Sequence, residues 1–290
     1  MLSINHLIVL QNLINGRSND VAMTTYFTEL LKLPISMIFN RIRFGTNALN
    51  IGKIKAVGDG TKLLVSLTGI ERPIVIPNDL KSLTQLRCTA RELINPFNPH
   101  FYESHGTKIR KKDVVVDCGA AEGLFTAIAA EKAEHVYAIE PLPEYADILR
   151  DTFRESHHVE VIACALGDKD GTARLENMGT MSKLSENGST IVTLRSIDSL
   201  FFNKDIKVDF IKADLEGSEI SMIRGARKTI ESNKPRIAIT TYDGPEYASI
   251  IKSILIKYNP DYHIRTKGII TRLNSWSDDN LNWPIMLHAS

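Results

Sequence analysis

The chain has 290 residues, 43% of them apolar and 24% charged, with 17 Gly and 11 Pro. That composition excludes a disordered or fibrous protein and leaves room for one large domain, or for a core domain with a smaller attachment. Lys and Arg total 35 against 34 Asp and Glu, so the net charge calls for neither a nucleic-acid nor a membrane partner. The charge is unevenly spread: residues 1–110 carry 13 basic and 7 acidic side chains, net +6, and residues 111–290 carry 22 and 27, net −5. Two unlike parts are expected. Cys88, Cys118 and Cys164 are too few and too scattered for a disulfide framework or a zinc site, which makes a reducing, cytoplasmic setting the default.

The apolar stretch in residues 1–16 lacks a basic leader and a small-residue cleavage site and is broken by Asn5, His6, Gln11 and Asn12, so no signal peptide is expected. No run reaches the roughly 18 to 20 apolar residues that span a bilayer. Helix-like spacing of Leu7, Leu10 and Ile14, then of Phe27, Leu30 and Leu31, predicts two or three short helices over residues 1–45. One of them, residues 33–44, carries Arg41 and Arg43 on an amphipathic pattern; docking on its own domain is favoured over lying on a membrane surface. From residue 50 to 76 the period changes to that of strands, KIKAV, KLLVSL after an Asp59-Gly60 turn, and PIVI, a small antiparallel meander. Asp79 can cap a helix reaching about Leu93. A Pro- and Asn-containing connector then leads to the basic run Lys108, Arg110, Lys111 and Lys112, read as a solvated loop. The domain boundary is placed there, between 1–105 and 106–290.

After Asp113 strand and helix alternate: VVV, a helix-like stretch to Ala133, HVYAI, a helix over Tyr145 to Phe153, and VEVIACAL. A polar segment over residues 171–187 precedes IVTL, a short helix near Ile197, VDFIKAD, a helix from Ile220 to Ile230, RIAIT, a helix from Tyr247 to Tyr258, and strands near His263 and Ile285. Short, continuously apolar strands between helices predict an α/β fold with a mostly parallel sheet covered on both faces.

Three strand ends carry chemistry. The first reads Asp117-Cys118-Gly119-Ala120-Ala121-Glu122-Gly123, a DxGxxxG loop entering a helix. A dinucleotide loop has glycine where this one has Ala121, and an acid closing the strand suits a cationic ligand better than a phosphate. The second supplies Glu140, 23 residues past Asp117, near the spacing of about 20 at which an acid meets ribose hydroxyls. The residues alone leave open whether the adenosine belongs to S-adenosylmethionine or to NAD. The third reads Lys212-Ala213-Asp214-Leu215-Glu216-Gly217-Ser218-Glu219, where alternation puts Lys212 and Asp214 on one side. Glu219 reads as a helix-capping acid, while Asp214 and Glu216 are aimed at the cleft.

The segments VVVDCGAAEGLFT, VYAIEPLPE, ALGDKDG, SIDSL and DFIKADLEGSEISMIRGA resemble, in order and spacing, the FkbM family of S-adenosylmethionine-dependent methyltransferases, over about residues 110 to 245. The resemblance implies a Rossmann-like class I methyltransferase fold with a seven-stranded sheet, and methyl transfer to a hydroxyl of a sugar, glycolipid or secondary metabolite. It further implies that Asp117, Gly119, Ala120 and Gly123 hold the methionine part of the cofactor, Glu140 its ribose and the segment around Ala165 its adenine. Where many relatives read Tyr-His, this chain reads Tyr242-Asp243.

Asp214 is the first candidate for the general base and Glu216 the second, with Lys212 orienting Asp214. The acceptor, a small molecule or glycan, is expected under the polar segment Met181 to Ser189 and against the meander. The alternatives are a nucleic-acid methyltransferase, suggested by the basic run, and a non-catalytic nucleotide-binding module. Neither a metal nor stable membrane insertion is expected.

Overall fold

The computed structural model describes residues 51–94, 96, 98–104, 106–179, 181–272 and 281–290; the helices expected over residues 1–45 lie outside them. The N-terminal part is the expected meander, β1 (Ile51–Val57), β2 (Lys62–Leu67) and β3 (Ile74–Pro77), antiparallel in the order β1-β2-β3. Its first turn is the one the sequence marks, with Gly60 at φ +88° and the Asp59 carboxylate taking the amide of Thr61. Helix α1 (Leu80–Ile94) follows, and Asp79 caps it by accepting the Ser82 amide at 2.8 Å.

The main sheet has seven strands in the order β13-β14-β12-β11-β4-β5-β6. Parallel pairing joins β4 (Val114–Cys118), β5 (His135–Ile139), β6 (Val159–Ile162), β11 (Phe210–Ala213) and β12 (Arg236–Thr240). β13 (Ile264–Arg272) and β14 (Leu281–Ala289) close one edge antiparallel. The crossovers are α2 (Leu124–Ala130), α3 (Pro143–Phe153), α4 (Ile197–Leu200), α5 (Glu219–Arg224), α6 (Arg227–Asn233) and α7 (Tyr247–Tyr258). Proline in its first turn starts α3, whose Tyr145, Ala146, Ile148, Leu149, Thr152 and Phe153 form the buried stripe. β4 is apolar on both faces because Val115 enters one core, and Val116 and Cys118 the other.

The structure departs from the sequence reading in three places. VEVIACAL is two strands: β6 belongs to the main sheet, while β7 (Ala165–Leu166) pairs in parallel with β10 (Thr190–Arg195) in a separate four-stranded sheet, β7-β10-β8-β9. The polar segment holds the rest of that sheet, β8 (Gly171–Glu176) and β9 (Lys183–Leu184), in which Leu175 alone is buried, too few apolar positions for a strand period to show. The helix expected over 220–230 is broken at Gly225, where any Cβ would collide with the Gly167 carbonyl. Asp198, from the SIDSL segment, restarts it by accepting the amides of Lys228 and Thr229 at 2.9 and 2.8 Å.

Val65, Leu67, Ile74 and Ile76 of the meander share one core with Leu86, Ala90 and Leu93 of α1 and with Val115, Leu124 and Phe125 of the sheet domain. The boundary expected after residue 105 therefore crosses continuous packing. Among the described residues, no helix is long and apolar enough to cross a membrane.

Candidate active site

The strand order reverses between β4 and β11, where chain connections lead away to opposite edges; in such sheets ligands bind outside the strands' carboxyl ends at that point. The loops leaving these strands touch. Gly119 has φ +78°, and a Cβ there would overlap the Asp214 carbonyl oxygen, so the glycine is needed for loop-to-loop contact. The amides of Gly119 and Ala120 both donate to the Ile139 carbonyl at 3.0 Å. Gly123 has φ +84° and lies against Leu149 and Phe153; it lets α2 close on α3 and does not line the cleft.

Asp117 stands opposite Lys212 in the β4–β11 ladder. Its fully buried carboxylate lies 3.0 Å from Lys212 Nζ and accepts the Thr126 hydroxyl at 2.6 Å. Lys212 also donates to the Gly119 carbonyl at 2.6 Å. Burial pulls this ammonium down, but the Asp117 and Asp214 carboxylates outweigh it and hold the group above its ordinary value. The expected pairing of Lys212 with Asp214 is thus corrected: strand register gives the lysine to Asp117, and together they pin the glycine loop. Asp117 itself lies off both cavity walls described below.

Asp214 is held from two separate segments, the connector at Tyr102 and the end of β12. Its Oδ2 accepts the Tyr102 hydroxyl at 2.8 Å and its Oδ1 that of Tyr242 at 2.7 Å, while the Thr240 hydroxyl lies 3.3 Å from Oδ1 and gives its single proton to the nearer Glu219. Burial, then the neighbouring Asp214, push both tyrosine hydroxyls up from their usual range. Glu216 is half-buried at φ +49°; burial and then Asp214 push its carboxyl to about 7, with Tyr242 offsetting part of the rise. Glu219 is fully buried and ties down the turn, accepting the amides of Leu215 at 2.7 Å and Gly217 at 3.0 Å and the Thr240 hydroxyl at 3.1 Å. Burial and Asp243 push Glu219 to about 8. Asp243 lies beside Gly217, off both walls.

Two cavities meet at Asp214 and Glu216. The tighter one, about 50 Å³, is walled by Ile139, Glu140, Tyr145, Cys164, Ala165, Leu166, Leu175 and Leu184. Glu140 accepts the Ala121 amide at 2.9 Å on one oxygen and the Leu142 amide at 3.0 Å on the other, and burial, against these two bonds, pushes it to about 7. The wider cavity, about 390 Å³, runs from Gly119, Ala120 and Glu122 to α1, His100, Tyr102 and Tyr242, with Met181 at its wall. Among the described residues the meander does not line it: α1 and the connector stand where the strands were expected. Sequence reasoning missed Tyr102, Thr240, Glu92 and His100, which have no motif and reach the site only through packing. Glu122 and Tyr242 stood within the quoted segments without an assigned role. The basic run Lys108–Lys112 is exposed at the amino end of β4, the opposite end of the strand from the cleft.

The tight cleft fits the nucleoside of S-adenosylmethionine in its chemistry. It has apolar walls for a ring and a carboxylate, each of whose oxygens retains a free lone pair, for vicinal hydroxyls. Among the described residues no Lys or Arg on its wall would pair with a pyrophosphate, and three acids stand on it.

The sheet order and the cleft at its switch point are those of a class I methyltransferase fold. Residues 117–259 match the model of the methyltransferase FkbM domain. Among solved structures, the chain resembles the methyltransferase FkbM from Methylobacillus flagellatus, with 24% identity, TM-score 0.50, and 66% of this chain and 46% of that chain covered. The match thus spans less than half the length of that protein. A precorrin 8w decarboxylase from Methanobacterium thermoautotrophicum matches at 17% identity and TM-score 0.39, covering 63% and 83% of the two chains. TYW2 of M. jannaschii, solved with AdoMet, matches at 16% identity and TM-score 0.40, covering 80% and 87%. No curated protein matches significantly. Residues 117–259 form a methyltransferase FkbM domain.

Proposed function

We propose that the chain methylates a hydroxyl oxygen of a small acceptor such as a sugar, glycolipid or secondary metabolite, with Glu216 as general base and Asp214 as the group that fixes the site around it. The observation that carries this reading is that Asp214 and Glu216 line both cavities, so the end of β11 stands between the nucleoside cleft and the wider cavity. S-adenosylmethionine, when bound, supplies a methyl group on an already electrophilic sulfonium. The chain's own work is alignment and removal of the acceptor proton. Both oxygens of Asp214 are already engaged, by the hydroxyls of Tyr102 at 2.8 Å and Tyr242 at 2.7 Å, which suits it to fixing the site around the base. Glu216 carries a carboxyl raised to about 7, where a base has both an ionised fraction and useful basicity. On the cofactor side, Glu140 would hold the ribose, the wall at Ala165 the adenine, and the backbone of Gly119 and Ala120 the methionine end; Asp117 and Gly123 support this loop from behind.

The test is turnover with labelled cofactor against a screen of hydroxylated sugars, glycolipids and phenols. Glu216→Gln is expected to lower turnover about 10²- to 10⁴-fold with S-adenosylhomocysteine affinity nearly unchanged. Wild-type activity should rise with pH through about 7 as Glu216 ionises. Transfer to amines alone would refute the oxygen assignment, and Asp214→Asn losing turnover while Glu216→Gln retains it would return the base to Asp214.

A further inference from the structure

The wider cavity is unusually one-sided in charge. Among the described residues, Glu92, Glu122, Asp214 and Glu216 stand on its wall, and the one Lys there, Lys212, has its charge matched by Asp117 at 3.0 Å. His100 lies with its Nδ1 3.7 Å from Glu92 Oε1. Glu122 is 2% exposed, and its Oε1 has no hydrogen-bond partner among the described residues. A buried acceptor left unpaired is costly, and the cost is removed when a ligand donor fills the place. Burial also holds Glu92 above the ordinary carboxylate range, despite His100 and with Asp214 adding to the rise, and it pushes Glu122 to about 7. A cation in the cavity would favour the ionised form of both.

We infer that the acceptor is a hydroxylated small molecule bearing a cationic amine, of the amino-sugar kind, with Glu92 and Glu122 as the groups that receive the amine. The inference rests on methyl transfer taking place at this cavity. Its volume, about 390 Å³, is at the size of a small-molecule site. Gln85 and Thr89 on α1 offer neutral polar groups to hydroxyls, and Tyr102, Phe125 and Tyr242 add aromatic side chains to the wall. A metal ion is a weaker occupant, since no group of three or more His, Cys, Asp or Glu is arranged to hold one among the described residues. Glu92 comes from α1, outside the 117–259 stretch that matches the family model, so this wall belongs to this chain's own choice of acceptor.

The experiment is calorimetric titration of the full chain, saturated with S-adenosylhomocysteine, with D-glucosamine, N-acetyl-D-glucosamine and D-glucuronate. These put a cation, a neutral amide and an anion on similar hydroxylated rings. Glucosamine is expected to bind at least about tenfold more tightly than either of the others. Glu92→Gln and Glu122→Gln should each narrow that gap about threefold or more while S-adenosylhomocysteine affinity, which also reports folding, stays within about threefold. Equal or reversed binding, or no binding of glucosamine, overturns the inference. So does a loss of about tenfold or more in S-adenosylhomocysteine affinity in both variants, which would give the acids to the cofactor. Mass-spectrometric mapping of the methyl group separates this from the oxygen reading. A methyl on the glucosamine nitrogen with the binding gap intact refutes oxygen transfer alone, whereas methylated hydroxyls without the gap refute the amine alone.

Discussion

The two walls of the cleft are built differently. The wall made by β4, β11 and their loops is fixed by backbone: Gly119 touches the Asp214 carbonyl, Ala120 and Gly119 share the Ile139 carbonyl, and Lys212 ties Asp117 to the glycine loop. The facing wall, α1 with the connector at His100 and Tyr102, presents side chains from elements that pack on the sheet domain through a shared apolar core. A wall held by backbone contacts cannot vary without disturbing the fold. A wall of projecting side chains can change its chemistry while its helix stays in place. Cofactor geometry therefore belongs to the first wall and acceptor choice to the second.

That contrast can be broken by substitution, and the largest effect is expected at Lys212. Lys212→Met leaves Asp117 buried without its counter-charge and should cost about 3–5 kcal/mol in chemical denaturation; a loss under about 1 kcal/mol would show that the pair does not anchor the wall. Gly119→Ala adds a Cβ where the Asp214 carbonyl already sits, at a positive φ, and should cost roughly 2–4 kcal/mol with parallel loss of cofactor binding. Glu140→Ala should weaken S-adenosylhomocysteine about 10- to 100-fold by calorimetry, or roughly 1.4–2.7 kcal/mol, with smaller change in stability. On the facing wall, Gln85→Ala should shift stability by no more than about 0.5 kcal/mol and alter only acceptor KM. A drop in cofactor affinity there would erase the distinction between the walls.

The same contrast has a pH signature. Glu122, Glu140, Glu216 and Glu219 all have folded-state values of about 7 to 8, above the ordinary 4.5 of the unfolded chain. Between these values the folded protein binds more protons than the unfolded one, so stability falls as pH rises from about 5 to 8. The ligand-free Tm should accordingly be higher at pH 6 than at pH 8, and Glu219→Gln should flatten the slope. A flat Tm in wild type would mean that these carboxyls titrate normally.

The sequence by itself determined what depends on local pattern. Alternating apolar strands and helices gave the parallel sheet, the DxGxxxG turn marked the end of β4, Glu140 stood at the next strand end, and Asp214 and Glu216 stood at the loop after β11. Each is a short-range property, fixed by side-chain periodicity or by the φ values a turn requires. Strand register is not local, and only the tertiary structure decided that Lys212 faces Asp117. The same holds for the small sheet that takes β7 out of an apparently continuous strand, because its solvent-facing residues make its strands read as polar loop. Tyr102 reaches Asp214 across 112 positions of sequence, and Glu92 and His100 reach the wider cavity because α1 packs its apolar face on the sheet domain. No spacing rule encodes such contacts, since they arise from burying surface between segments that the chain brings together only on folding.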